Sequence, residues 1–186
     1  RFTDGVVQAE FGRDPLYIEA GKDDALYLLS RRDAPKGKIL RLPFAQRDLT
    51  GAAIIVPETT NVISGFHTAA SGLALTYIDG GPSDFGFLDF NDGRIRSPRD
   101  TGITAVQQVL VTQGDEVLFR TVSYTAPYQW WRYNGSQDRD RVVALPMAGS
   151  SPVPFTDVEV VRENVTSKDG TKVPLNIIRR KGTRLN

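Results

Sequence analysis

The stretch LALTYIDGGPSDFGFLDFNDG, Leu73 to Gly93, decides the fold. It opens on an apolar run and passes through a polar loop holding Pro82. It closes on a second run, in which Phe85, Phe87, Leu88 and Phe90 fall among polar neighbours. Side chains that alternate in this way point to opposite faces of a strand. Aromatic and β-branched residues suit such a pleated, half-buried surface. Gly80-Gly81-Pro82 is a loop signal, and Asp92-Gly93 is one of the strongest hairpin dipeptides.

The same layout stands on either side. Upstream it is ALYLLSRRDAPKGKILRLPF, Ala25 to Phe44, with Ile39, Leu40, Leu42 and Phe44 in its second run. Downstream it is EVLFRTVSYTAPYQWWRYNGS, Glu116 to Ser136, ending on Asn134-Gly135. Each copy carries one proline in its loop, and Pro35, Pro82 and Pro127 are 47 and 45 positions apart by subtraction. A period of roughly 40 to 50 residues with several strands per unit is that of propeller blades. Further strands are expected at Ala52 to Val56, Val62 to Phe66, Val106 to Val111 and Arg141 to Leu145. No segment has convincing helical periodicity. Thr101 to Leu110 comes nearest, but Val106, Val109 and Leu110 fit a strand equally well.

The expectation is an all-β chain of about three four-stranded antiparallel blades. Propellers close a ring of typically four to eight blades, and three cannot close one. An open stack leaves strand edges as pairing templates. The chain is therefore expected to be part of a longer protein or to close by self-association. Arg1 opens it with no signal-peptide pattern, from which a processed, trimmed or partial chain is expected.

Composition narrows the function classes. Of 186 residues, 40% are apolar and 24% charged, an ordinary globular balance. The longest clean apolar runs are about five residues, against roughly 20 for a membrane-spanning helix. Basic and acidic residues number 23 and 22 and are interspersed, which argues against nucleic acid as a partner. Cysteine is absent, which excludes a disulfide framework and thiolate metal sites, and suits cytoplasm and periplasm alike. A single histidine excludes any site that needs two.

Near Pro152 the pattern changes. Ser151-Pro152-Val153-Pro154 reads as a linker, and a β-hairpin follows with its turn around Asp169-Gly170. The stretch DVEVVRENVTSKDGTKVPLNIIRRKGTRLN, Asp157 to Asn186, resembles the join between propeller and hydrolase domain in the prolyl oligopeptidase family of serine peptidases. The residues that carry the resemblance are Thr166-Ser167-Lys168-Asp169-Gly170-Thr171-Lys172-Val173-Pro174, followed by Arg180-Lys181-Gly182. Ser123 to Asn134 is similar to that family's last blade, and the repeats back to about Ala25 agree in length and order.

The resemblance implies a seven-bladed propeller capping an α/β-hydrolase domain. Residues 1–154 would be blades of an incomplete ring, and residues 155–186 the first hairpin of the catalytic domain. It implies a cap that admits short peptides and excludes folded proteins, and cleavage after proline. A sister group that cuts after basic residues has a similar architecture. The family's catalytic serine, aspartate and histidine lie downstream of this hairpin, and no G-x-S-x-G elbow occurs here. No catalytic, cofactor-binding or metal-binding residue is therefore assigned, and substrate-facing residues stay open. The alternative function is a non-catalytic propeller that uses its loops to bind proteins.

Several residues invite chemistry and are read more plainly. His67 would need Ser64 or Ser71 and an acid such as Asp79 to make a triad; it reads as a structural or surface histidine. Trp130 and Trp131 are adjacent, so they point to opposite faces of a strand. One is expected between blades and the other at an edge or the tunnel; packing is the plainer reading for both, and for Tyr128 and Arg132, with a ligand-facing role as the alternative. Arg179, Arg180, Lys181 and Arg184 read as a solvated strand end rather than a membrane or nucleic-acid patch. The pairs Asp23-Asp24, Asp79-Asp84 and Asp138-Asp140 match no calcium loop and read as turn residues. Asn134-Gly135-Ser136 and Asn164-Val165-Thr166 match the glycosylation pattern, with nothing else to support it.

Overall fold

A computed structural model describes residues 17–46, 48–98, 101–153 and 155–183, with the side chains of 138–140 outside the description. Arg1, Pro154 and Arg184, which figured in the sequence expectations, lie outside the described residues.

The described chain holds no α-helix. Its one helical piece is a 3₁₀ turn over Leu49–Gly51, started by the Asp48 carboxylate accepting from the Thr50 amide. The first sheet runs β1 (Tyr17–Ala20), β2 (Ala25–Ser30), β3 (Lys38–Pro43) and β4 (Ala53–Val56). The second runs β5 (Val62–Thr68), β6 (Gly72–Ile78), β7 (Ser83–Asp89) and β8 (Ile95–Arg96). The third runs β9 (Ala105–Val111), β10 (Glu116–Val122), β11 (Gln129–Asn134) and β12 (Asp138–Ala148). Each is a four-stranded antiparallel meander in which sequence neighbours pair. The three repeated segments are the central hairpins β2–β3, β6–β7 and β10–β11.

The middle sheet explains why its run is so apolar. Ile63, Phe66, Leu73, Leu75, Tyr77 and Leu88 pack toward the first sheet, with its Tyr27, Leu29 and Ile39. Ala74, Phe85 and Phe87 face the other way, against Val109, Val117, Phe119, Tyr133 and Val142 of the third sheet. Both faces are buried, so both halves of the alternation are apolar. Phe85 and Phe119 stack across this second seam with centroids 4.5 Å apart. Burying a side chain of that size stabilises the fold by about 1.5–3 kcal/mol.

From one sheet to the next, the first strands meet: β1 with β5, and β5 with β9. The sheets therefore fan out from a common inner edge. Because every connection reverses direction, the proline-bearing loops of β2–β3, β6–β7 and β10–β11 all lie at one end of the fan. The chain leaves β12 at that same end to form a separate hairpin, β13 (Val158–Thr166) with β14 (Lys172–Arg180). Gly170 supplies the positive φ (84°) of its turn.

Candidate functional site

The hairpin and the fan meet at the proline-loop end. Arg162 of β13 crosses to the β6–β7 loop. Its Nη2 lies 3.0 Å from Asp79 Oδ1 and also donates to the Asp79 carbonyl. The next residue, Gly80, has φ +57°, and a Cβ there would overlap Pro174 of β14. The seat thus requires glycine on steric grounds as well as conformational ones. Asn176 Nδ2 of β14 donates to Tyr124 Oη in the β10–β11 loop at 3.3 Å.

Beside this joint lies a cavity of about 450 Å³. Its walls carry the hydroxyls of Thr101, Thr104, Thr121, Ser123 and Thr125, with Pro127, Gln129 and Trp131, and Val160 from the hairpin. The Trp131 indole N–H donates to Thr121 Oγ1 at 2.8 Å, and Gln129 Nε2 donates to the carbonyls of Trp130 and Leu145. These bonds hold the ring and the amide in place. Among the described residues that line it, none is charged or a conventional acid–base group. The hollow offers hydroxyls and an aromatic wall to an uncharged, peptide-like group, and its described walls hold no group for proton transfer near neutrality.

At the opposite end, two carboxylates bracket the β5–β6 turn. Glu19 of β1 accepts from the Thr68 amide at 2.7 Å and the Thr68 hydroxyl at 3.2 Å. Asp115, between β9 and β10, accepts from the Ser71 amide at 2.7 Å and the Ser71 hydroxyl at 2.8 Å. One bond set ties the first sheet to the second, and the other ties the second to the third. Glu19 also lies 2.8 Å from His67 Nδ1 and accepts from Tyr17 Oη at 2.6 Å. Burial opposes ionisation of Glu19, but the bonds from His67, Tyr17 and Thr68 outweigh it and bring its carboxyl down to about 2. Burial, then the bond to Glu19, pushes the Tyr17 phenol up to about 12.

The structure does not bring the triad candidates together. His67 is held by Glu19, Ser64 donates to the Thr76 carbonyl, Ser71 is held by Asp115, and Asp79 by Arg162. Trp131 sits across from Phe119 and packs in the second seam, while Trp130 sits across from Arg120 on the other face. Arg120 lies over the Tyr128 ring, 5.6 Å from its centroid, and Arg132 is exposed.

The basic cluster is divided. Arg179 pairs with Glu159 at 2.8 Å, Arg180 approaches Asp157 at 3.6 Å, and Lys181 donates to the Thr156 carbonyl. Asp23 pairs with Arg41, and Asp24 takes a positive φ of 54° in the β1–β2 turn. Asn134 folds its Oδ1 back onto Ser136 and Gln137, whereas Asn164 is exposed opposite Pro174. Among the described residues no three histidine, cysteine or acidic side chains gather as a metal site.

Sequence reasoning missed Glu19, Asp115 and the Arg162–Asp79 pair. Each bond joins residues more than 40 positions apart, and no local pattern signals such a partner. Gly80-Gly81 was legible as a loop, but nothing marked it as the seat for Pro174.

Sheets of four antiparallel strands, stacked face to face and converging on their first strands, define a β-propeller, here three blades of one. The model of the prolyl oligopeptidase N-terminal β-propeller domain matches residues 2–146, and the chain belongs to that family. Among solved structures, one of two prolyl endopeptidases analysed for inter-domain dynamics in catalysis and specificity is 22% identical, with a TM-score of 0.76. The alignment covers 92% of this chain and 25% of that one. Prolyl oligopeptidase B from Galerina marginata, bound to a 25mer macrocyclization substrate, is 17% identical with a TM-score of 0.73, covering 92% and 24%. Oligopeptidase B from Trypanosoma brucei, closed on covalently bound antipain, is 17% identical with a TM-score of 0.71, covering 92% and 26%. At these identities the likeness shows the fold. The chain spans about a quarter of the length of the structures it matches. A comparison with curated proteins finds no match.

Proposed function

We propose that this chain is the last blades of the propeller, followed by the first hydrolase hairpin, of a prolyl oligopeptidase-type serine peptidase. In this reading residues 1–154 cap and gate the active site, and residues 155–186 open the α/β-hydrolase domain. The observation that carries the reading is the hairpin of Asp157 to Gly182. Its sequence resembles the family's join, it follows the family-matched region, and it is seated on the proline-loop end of the blades. The full polypeptide hydrolyses short peptides, after proline. A gate of this kind contributes by excluding water and selecting what reaches the reacting groups. The uncharged hollow beside Trp131 suits a peptide path. Two of the similar structures hold a macrocyclization substrate and the inhibitor antipain, which supports peptides as the substrate class.

The test starts with the coding sequence beyond Asn186. Several hundred further codons with a G-x-S-x-G elbow are expected, and a stop codon soon after would favour the protein-binding propeller. The encoded enzyme is then assayed on fluorogenic peptides carrying proline or arginine before the scissile bond. Preference for arginine would overturn the proline assignment and leave the gate intact.

A further inference from the structure

The joint between hairpin and blades differs in kind from the seams between blades. The seams are sheet faces packed on sheet faces. β13 and β14 pack extensively on each other, and their hold on the fan comes through loops. One residue, Asp79, supplies both acceptors for Arg162. Both partners reach solvent: the Arg162 side chain is 23% exposed and that of Asp79 is 50%. Beside them Pro174 rests against Gly80, which has no side chain to interlock with it.

We infer that the Asp79–Arg162 pair is a releasable latch, and that breaking it frees β13–β14 as a unit while the three blades stay assembled. Released, the hairpin loses the fan's support and opens readily, because a lone two-stranded ribbon has only its own nine-residue ladder, Val158↔Arg180 through Thr166↔Lys172. The blades keep theirs, because no residue of the seams belongs to the hairpin. Release widens the hollow beside Trp131, since Val160 is its only wall from the hairpin. The inference concerns the joint itself and stands whichever domain follows the hairpin, so it can fail while the peptidase reading holds, and the reverse.

Hydrogen exchange read by mass spectrometry on the whole chain tests it. Asp79→Asn and Arg162→Gln are each expected to speed exchange across β13–β14 about fivefold, at the upper end for a partly exposed ion pair. The double variant should be no faster than Arg162→Gln alone, because that substitution already removes both bonds, whereas Asp79→Asn leaves the main-chain acceptor in place. Raising NaCl from low to high concentration should carry the unmodified chain toward the variants and leave the variants unmoved. Gly80→Ala, which puts a Cβ into the Pro174 seat, should release the hairpin with the ion-pair chemistry intact. In all of these, protection in β6, β7 and β10 should stay unchanged. Unaltered hairpin exchange, additive single effects, or loss of protection in the blades along with the hairpin would each overturn the latch.

Discussion

The blades and the hairpin are built from the same kinds of side chain and treat them in opposite ways. In the second sheet Leu73, Leu75, Phe87 and Ile63 are fully buried. In the hairpin no residue of either strand is buried, and Val165, Val173, Leu175 and Ile178 are exposed by 43–53%. The difference is one of layers. A sheet with a sheet on each face has no solvent side, whereas a two-stranded ribbon on a loop joint has solvent on nearly every side. Isolated ribbons of this kind are marginal in water. Apolar residues in such a ribbon are therefore in place for a further layer, and the proposed hydrolase domain would supply it.

If the seams carry the stability, the largest loss should come from cutting one. Phe119→Ala removes a fully buried ring stacked on Phe85. It is expected to cost about 3–5 kcal/mol in urea unfolding. A loss near zero would mean that the second and third blades do not fold as one unit. Asp115→Ala should cost about 1–3 kcal/mol, because it strands the Ser71 amide at the inner rim. Thermal unfolding in which this variant matched the unmodified chain would show that the bracket is ornamental to the seam.

A pH titration probes the other bracket. The Glu19 carboxyl is depressed in the folded chain to about 2, below its ordinary value of 4.5. A depressed carboxyl contributes stability above its unfolded value and loses it as pH falls through the folded one. Stability should therefore fall between about pH 4.5 and about 2, and Glu19→Gln should flatten that part of the curve. An unchanged slope would put the acid sensitivity elsewhere. The smallest effect is expected in the hairpin. Ile178→Ala, at a side chain 53% exposed, should stay within about 0.5 kcal/mol. A loss of several kcal/mol would mean that the hairpin is part of the blade core after all.

How far the sequence could be read follows the same division. The central hairpins were legible because a loop proline, a turn dipeptide and a period of two all lie within about 20 residues. The strands at Ala53–Val56, Val62–Thr68 and Ala105–Val111 were also legible, from β-rich runs between turn signals. The site was not. Asp79, Gly80 and Gly81 read as turn residues, and turn chemistry is what they have locally. Their second role depends on Arg162 and Pro174, more than 80 positions on, and a single sequence gives no register between distant loops. His67 could be denied a triad on spacing, yet its partner Glu19 stands in a four-residue strand with no motif.

The central claim is that this chain shapes access to a serine-hydrolase site that it does not itself contain. Labelling with a fluorophosphonate probe, followed by intact mass and peptide mapping, tests it most directly. The account predicts no adduct on this chain alone, and one adduct on the full polypeptide at a serine beyond Asn186. A stoichiometric adduct on a serine within residues 1–186 would contradict it, because it would require an activated nucleophile where the structure commits Ser64 and Ser71 to other partners.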